Sequence, residues 1–137
     1  MNLDDLPVSE FGFPGPLRDK LVAAILSGAK TSTSSLLLGY TRDGDPLPQA
    51  GDVSAVVDSA GQRVAAIEVT AVRVLRLAEM DLQHVIEEGE GDESVAQWRA
   101  AHEEFWHSDE ARAELADPAF TVTDDTLVVA ERFRLLT

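Results

Sequence analysis

The chain has 137 residues, enough for one domain with its own hydrophobic core, and its 45% hydrophobic and 26% charged content is that of an ordinary globule. It has no cysteine, which excludes disulfides, thiolate metal sites and thiol catalysis. No apolar run approaches the roughly 20 residues that span a bilayer, and the start lacks the basic and apolar segments of a signal peptide.

A single cytoplasmic domain over residues 1–137, with no membrane partner, is the expectation. The net charge of −14 weighs against a nonspecific nucleic-acid coat. The acidity is regional, however. Residues 78–125 hold 15 acids against Arg99 and Arg112, a net of −13, whereas the rest holds 10 acids and 9 bases. A pocket for one nucleotide remains open to the other segments.

Residues 1–15, with several Pro and Gly, read as an irregular lead-in. Pro16 suits a helical first turn, and Leu17, Leu21, Val22 and Ile25 form a stripe at helical spacing. Gly28 is a C-terminal cap residue, so the pattern predicts a helix over 17–27. Residues 31–38 read as a strand, and 39–48 as a loop of turn formers that includes Asp43-Gly44.

A strand over 53–58 then turns through Ser59-Ala60-Gly61-Gln62 into a long strand over 63–77. The long strand changes phase. Ala65, Ile67, Val69 and Ala71 share one parity and Val72 and Val74 the other, which predicts a bulge or bend near Ala71.

The acidic segment follows. Leu82, Val85 and Ile86 predict a short helix ending before Gly89, then the loop Glu88-Gly89-Glu90-Gly91-Asp92. Ser94 with Gln97 reads as a capping box that opens a second helix to about Trp106. A third is expected over 109–115, a short strand over 120–123, and a final strand over 126–136. In that last strand Val129, Glu131, Phe133 and Leu135 share a parity, so Glu131 falls on the apolar face and needs a partner there, with Lys30 or an arginine able to serve.

Mixed strands with helices gathered between them read as α+β. The bent strand favours a small mixed β-barrel flanked by helices, with the acidic helical segment inserted before the last strands. No dinucleotide fingerprint or P-loop is present, and no cofactor is expected.

Four groups of residues carry candidate chemistry. Lys30 stands at a helix-to-strand corner before Thr31, Thr33 and Ser35, which alternation places on one face. A lysine there either holds an anion or activates a hydroxyl; the plain alternative is a solvated polar strand. Glu88 and Glu90 in the glycine loop can orient a water, carry a proton or pair with Lys30, and the glycines let backbone approach closely. Trp98, His102 and Trp106, with Arg99 beside them, offer stacking surfaces for a base, though their spacing is that of core packing. His84, His102 and His107 match no zinc spacing, so no metal site is expected. Glu131 is the fourth.

The motif Gly28-Ala29-Lys30-Thr31-x-Thr33, the Gly51-Asp52 turn, the strand over 64–70 and the closing Val128-Val129-Ala130-Glu131-Arg132-Phe133 resemble the ASCH domain family. Glu88-Gly89-Glu90-Gly91-Asp92-x-Ser94 followed by Trp98-Arg99-x-x-His102 is similar to its longer bacterial branch. The resemblance runs from about Phe11 to the end and implies a PUA-like barrel with a cleft beside the Lys/Thr motif. It also implies an RNA nucleotide or small modified nucleoside as partner.

The family's short branch includes amidohydrolases that deacylate N4-acetylcytidine with a lysine, a threonine and a glutamate. Lys30 and Thr33 match the first two. Glu90 is the third, with Glu88 as fallback. Thr31, Ser35, Tyr40, Glu88 and Arg99 are the expected substrate-binding residues. Ser35 departs from the short branch, which has arginine there. The resulting expectation is an N4-acylcytidine amidohydrolase in which Lys30 activates Thr33. The alternatives are a noncatalytic RNA-binding module and a metal-independent ribonuclease.

Overall fold

A computed structural model describes residues 2–136. The first helix, α1, spans Pro16–Ser27 and stops at Gly28, whose φ of 84° lets its N–H return to the Ile25 carbonyl. The N–H of Lys30 reaches the Ala24 carbonyl at 3.0 Å, which ties the corner residue to the helix end.

Among the described residues five strands form one sheet: β1 (Val8–Ser9), β2 (Ser32–Leu36), β3 (Val53–Val57), β4 (Arg63–Arg76) and β5 (Leu127–Leu135). Their spatial order is β1-β3-β4-β5-β2, with β1 parallel to β3 and the other pairs antiparallel. The expected phase change is a register shift between Val69 and Ala71, which leaves Thr70 out of the β4–β5 register.

The sheet does not close into the expected barrel, because the edge strands β1 and β2 have no pairing with each other. β1 is only two residues long before the Gly/Pro-rich stretch from Gly12 to Pro16 ends it. The free edge at the start of β2 is instead met by the chain after β4, where the Thr31 N–H donates to the Glu87 carbonyl at 2.7 Å.

Four further expectations are corrected. The loop expected over 39–48 begins as a helix, α2, over Leu37–Asp43. Its turn signal Asp43-Gly44 is the helix C-cap, with Gly44 at φ 69°. The lead-in carries β1, and residues 120–123 form no strand. The Ser94 hydroxyl accepts from the Gln97 N–H as a cap should, but the Gln97 side chain accepts from the Glu93 N–H rather than from Ser94.

Between β4 and β5 lie α3 (Leu82–Glu87), α4 (Val95–Trp106) and α5 (Asp109–Leu115). The alternation of β5 divides two cores. Phe133 joins Phe11, Leu21, Val22, Ile25, Val56, Ala65 and Ile67 under α1. Val128 and Ala130 join Leu36, Leu77, Met80, Val85, Trp98 and Trp106 under α3–α5. No helix of the described chain is long and apolar enough to cross a membrane.

Candidate functional site

The corner after α1 and the loop after α3 are pressed together. Gly89, at φ 66°, lies against Ala29 and Lys30 so closely that a Cβ placed on it would stand 2.3 Å from the Ala29 carbonyl oxygen. Only a glycine allows this approach. It carries Glu88 and Glu90, on either side of Gly89, to the side chain of Lys30.

Lys30 is buried, at 2% exposure. An ammonium has three donors. One meets the Glu88 carbonyl at 3.3 Å and one the Glu90 carboxylate at 3.2 Å. The Glu88 carboxylate stands 3.9 Å from the same nitrogen.

Glu88 is the most connected side chain in this region. Its Oε2 accepts from the Ser34 hydroxyl at 2.6 Å and from the Trp98 indole at 2.9 Å, and the His84 Nε2 lies 2.9 Å away. Its Oε1 faces the His102 Nε2 at 3.2 Å, a charge contact rather than an aligned hydrogen bond. The His102 Nδ1 donates to the Trp98 carbonyl at 2.9 Å, and the imidazole stacks on the indole at 4.2 Å between centroids. With Nδ1 as donor, a neutral His102 would turn a lone pair toward Oε1, so this arrangement favours the imidazolium.

The electrostatics follow from these contacts. Burial by itself raises the pKa of Glu88, but the close imidazoles of His102 and His84 and the charge of Lys30 outweigh it and hold the carboxyl far below the usual carboxylate range. Burial lowers that of His102, and the close, negatively charged Glu88 carboxylate reverses this to a net rise. Glu90 goes the other way. Burial raises its pKa, Lys30 opposes, and the hydrogen bond and charge of Glu88 add to the rise. Two neighbouring carboxyls are thus pushed apart, the pattern that separates a fixed anion from a proton carrier. Glu90 is also the more accessible, its side chain 21% exposed against 1% for Glu88.

Ser34, His84 and Glu88 are not a nucleophile relay. In such a relay the hydroxyl donates to one imidazole nitrogen while the acid holds the other. Here Ser34 donates to Glu88, and a single nitrogen of His84 faces both. The trio anchors Glu88.

Glu88, Glu90 and His102 each present a ligand atom, all within 4.8 Å of one another. The Lys30 ammonium already sits against both carboxylates, so the positive charge that such a set would draw from a metal is supplied by the chain.

The other expected residues are placed differently. Thr33 and Ser35 pair with Glu131 and Val129 and lie on the opposite face of β2 from Ser32 and Ser34, whose hydroxyls serve the Lys30 side. Among the described residues no hydrogen bond joins Thr33 to Lys30. Ser35 donates to the Tyr40 hydroxyl at 3.3 Å. The pKa of Tyr40 is raised by burial, against the Ser35 bond and with the charges of Glu131 and Asp45.

Thr31 donates to the Glu87 carbonyl from its N–H, and its hydroxyl lies 3.4 Å from the same oxygen. Arg99 pairs with Glu103 and Asp124 instead of joining the cluster. Among the described residues Glu131 meets neither Lys30 nor an arginine; burial, helped by the charge of Asp52, pushes its pKa up to about 7.

Ser34, His84 and the indole donor of Trp98 belong to the cluster without having been singled out for it. Parity with Lys30 points to Ser34, and the four-residue spacing of His84 and Glu88 points to a helical pair.

A family model described as the ASCH domain matches residues 8–137. Among solved structures, the chain is similar to an ASCH domain from Lactobacillus crispatus JV V101, with 28% identity over 94% of this chain and 79% of that one and a TM-score of 0.77. It is similar to a protein from Enterococcus faecalis V583, with 25% identity, coverage of 95% and 76%, and a TM-score of 0.82. A mutant ASCH protein from Zymomonas mobilis, 14% identical over 93% of this chain and 67% of that one, is alike in fold alone, with a TM-score of 0.53. No curated protein matches the chain.

Proposed function

The chain belongs to the ASCH domain family, a membership that suggests RNA-related binding, and from that premise we propose that it binds an RNA nucleotide or modified nucleoside and hydrolyses an acyl amide on a cytosine-type base. One observation carries the catalytic part: the buried Lys30 ammonium lies 3.2 Å from Glu90, the one carboxyl of the pair that is raised and partly open to solvent.

In this reading Glu90 takes a proton from an attacking water as its oxygen bonds to the acyl carbon. Lys30 stabilises the oxyanion that forms on the carbonyl oxygen. Glu90 then returns the proton to N4 of the base as the C–N bond breaks, releasing a carboxylic acid and the free amine. Glu88, kept ionised by His84, His102 and Ser34, holds Lys30 in place. Thr33 attacks directly only if the ligand passes around the edge of β2, since its side chain shares a face with Glu131. A water held by Glu90 needs no such path, and this is the route we favour.

The test is turnover by mass spectrometry, with chelator present, on N4-acylated cytidines and a short mixed-sequence RNA. Deacylated cytidine supports the reading. Intact substrates throughout point to a binding module, and cleaved RNA points to a ribonuclease.

A further inference from the structure

On the same face of the sheet as the Lys30 cluster, a cavity of about 260 Å3 is lined by Ala71, Arg73, Asp81, His84, Ala130 and Arg132. Its floor is set by register: Ala71 pairs with Arg132 and Arg73 with Ala130 across β4 and β5. Arginines and alanines therefore stand on opposite diagonals, and the small side chains leave a hollow between two guanidinium groups.

Both arginines are half-exposed and only partly committed. Arg132 gives Nε and Nη2 to Glu87 at 2.9 and 2.7 Å. Arg73 gives Nη2 to the Asp81 carboxylate, at 3.0 and 3.3 Å from its two oxygens. A guanidinium has five N–H donors, so each keeps donors in reserve. His84 is a shared wall. It lines the cavity, while its Nε2 faces Glu88 and Ser34 in the neighbouring cluster.

The net charge of −14 repels anions at long range, so an anion is held only where cations converge. Two arginines on adjacent strands facing one hollow provide that convergence, and the guanidinium fork matches phosphate oxygens.

We infer that this cavity is a phosphate subsite, holding the phosphate of a nucleotide whose base lies toward Lys30 and Glu90. The inference rests on the proposed function and narrows it: the ligand is a nucleotide or RNA phosphate, not a bare nucleoside. Asp81 and Glu87 compete with the phosphate for the same donors.

The test is titration with inorganic phosphate, cytidine, cytidine monophosphate and a short RNA with and without a 5′-phosphate. Calorimetry gives the affinities, and side-chain 15N NMR follows the arginine Nε signals. The subsite predicts that the monophosphate binds at least tenfold tighter than cytidine, and that phosphate shifts the Arg73 and Arg132 signals. Arg132→Gln removes the tenfold advantage, and Glu87→Gln, which frees the guanidinium, increases it. A purely structural Arg132–Glu87 pair predicts no gain from Glu87→Gln.

Equal affinity for cytidine and its monophosphate, or phosphate shifts confined to other residues, overturns the subsite. Preference for the 5′-phosphorylated RNA assigns the site to a phosphate monoester; equal binding of both RNAs, above cytidine, assigns it to a phosphodiester. These titrations need no turnover, so a failed deacylation assay removes the catalytic reading and leaves the subsite to be decided separately.

Discussion

Gly89 and Ala29 are in contact that leaves no room for a side chain, a Cβ on Gly89 falling 2.3 Å from the Ala29 carbonyl oxygen and 2.8 Å from the Lys30 nitrogen. The obstructing atoms are backbone, which cannot rotate away, and the φ of 66° disfavours any L side chain besides. Gly89→Ala is therefore expected to destabilise the fold by more than about 1 kcal/mol and to pull Glu90 away from Lys30. Denaturant unfolding measures the first effect and loss of ligand binding the second. A variant as stable and active as the wild type would contradict the packing.

Glu88 gathers Ser34, Trp98, His84, His102 and Lys30 around one buried carboxylate. Removing the anion leaves buried cations and donors without a partner, and breaking buried pairs in this way costs about 3–5 kcal/mol. Glu88→Ala is expected to lose stability on that scale in urea unfolding. Trp98→Phe removes one donor and part of a fully buried ring but leaves the anion its other partners, and is expected to cost less, about 1–3 kcal/mol. If Trp98→Phe were the worse of the two, Glu88 would not be the centre of the cluster.

Stability should peak in weakly acidic solution. Burial raises the folded pKa of Glu131 above its unfolded value of 4.5, to about 7. Its contribution is then fully present below 4.5 and lost as pH rises through 7. His102, also raised by Glu88 against its own burial, loses its contribution in the same direction as pH rises through its folded value. Glu88, lowered, acts oppositely: its contribution is present above 4.5 and lost as pH falls. The melting temperature is expected to decline from pH 6 to pH 9, and Glu131→Gln to flatten that decline by raising stability at pH 8 but not at pH 5. A melting temperature that rises over this range would refute the assignment.

How far the sequence was legible depends on the range of the signal. Periodicity placed α1, α3, α4 and α5, and the parity change in β4 located its register shift at Ala71. These are local signals. The open sheet was not legible, because closure depends on whether β1 and β2 meet, which no local pattern sets. The turn formers after Leu38 hid α2, since a glycine that caps a helix and one that makes a loop look alike until the backbone is seen.

At the site, the flexible glycine loop made Glu88 and Glu90 candidates to pair with Lys30, some sixty positions away, and the motif resemblance grouped the three. Nearness in the chain and the same motif resemblance placed Thr33 beside Lys30. Strand alternation separates them, and gives Ser34 the contacts on the Lys30 side.

The most direct test of the central claim is deacylation of N4-acetylcytidine by the wild type, Lys30→Ala, Glu90→Gln and Thr33→Val, with each variant checked for folding by circular dichroism. The wild type is expected to release cytidine, and kcat to fall about 100-fold or more in Glu90→Gln, the scale of a lost general acid–base. A comparable fall is expected in Lys30→Ala, and retained activity in Thr33→Val. Full activity in a folded Lys30→Ala or Glu90→Gln protein, or no cytidine released by the wild type, would contradict the claim.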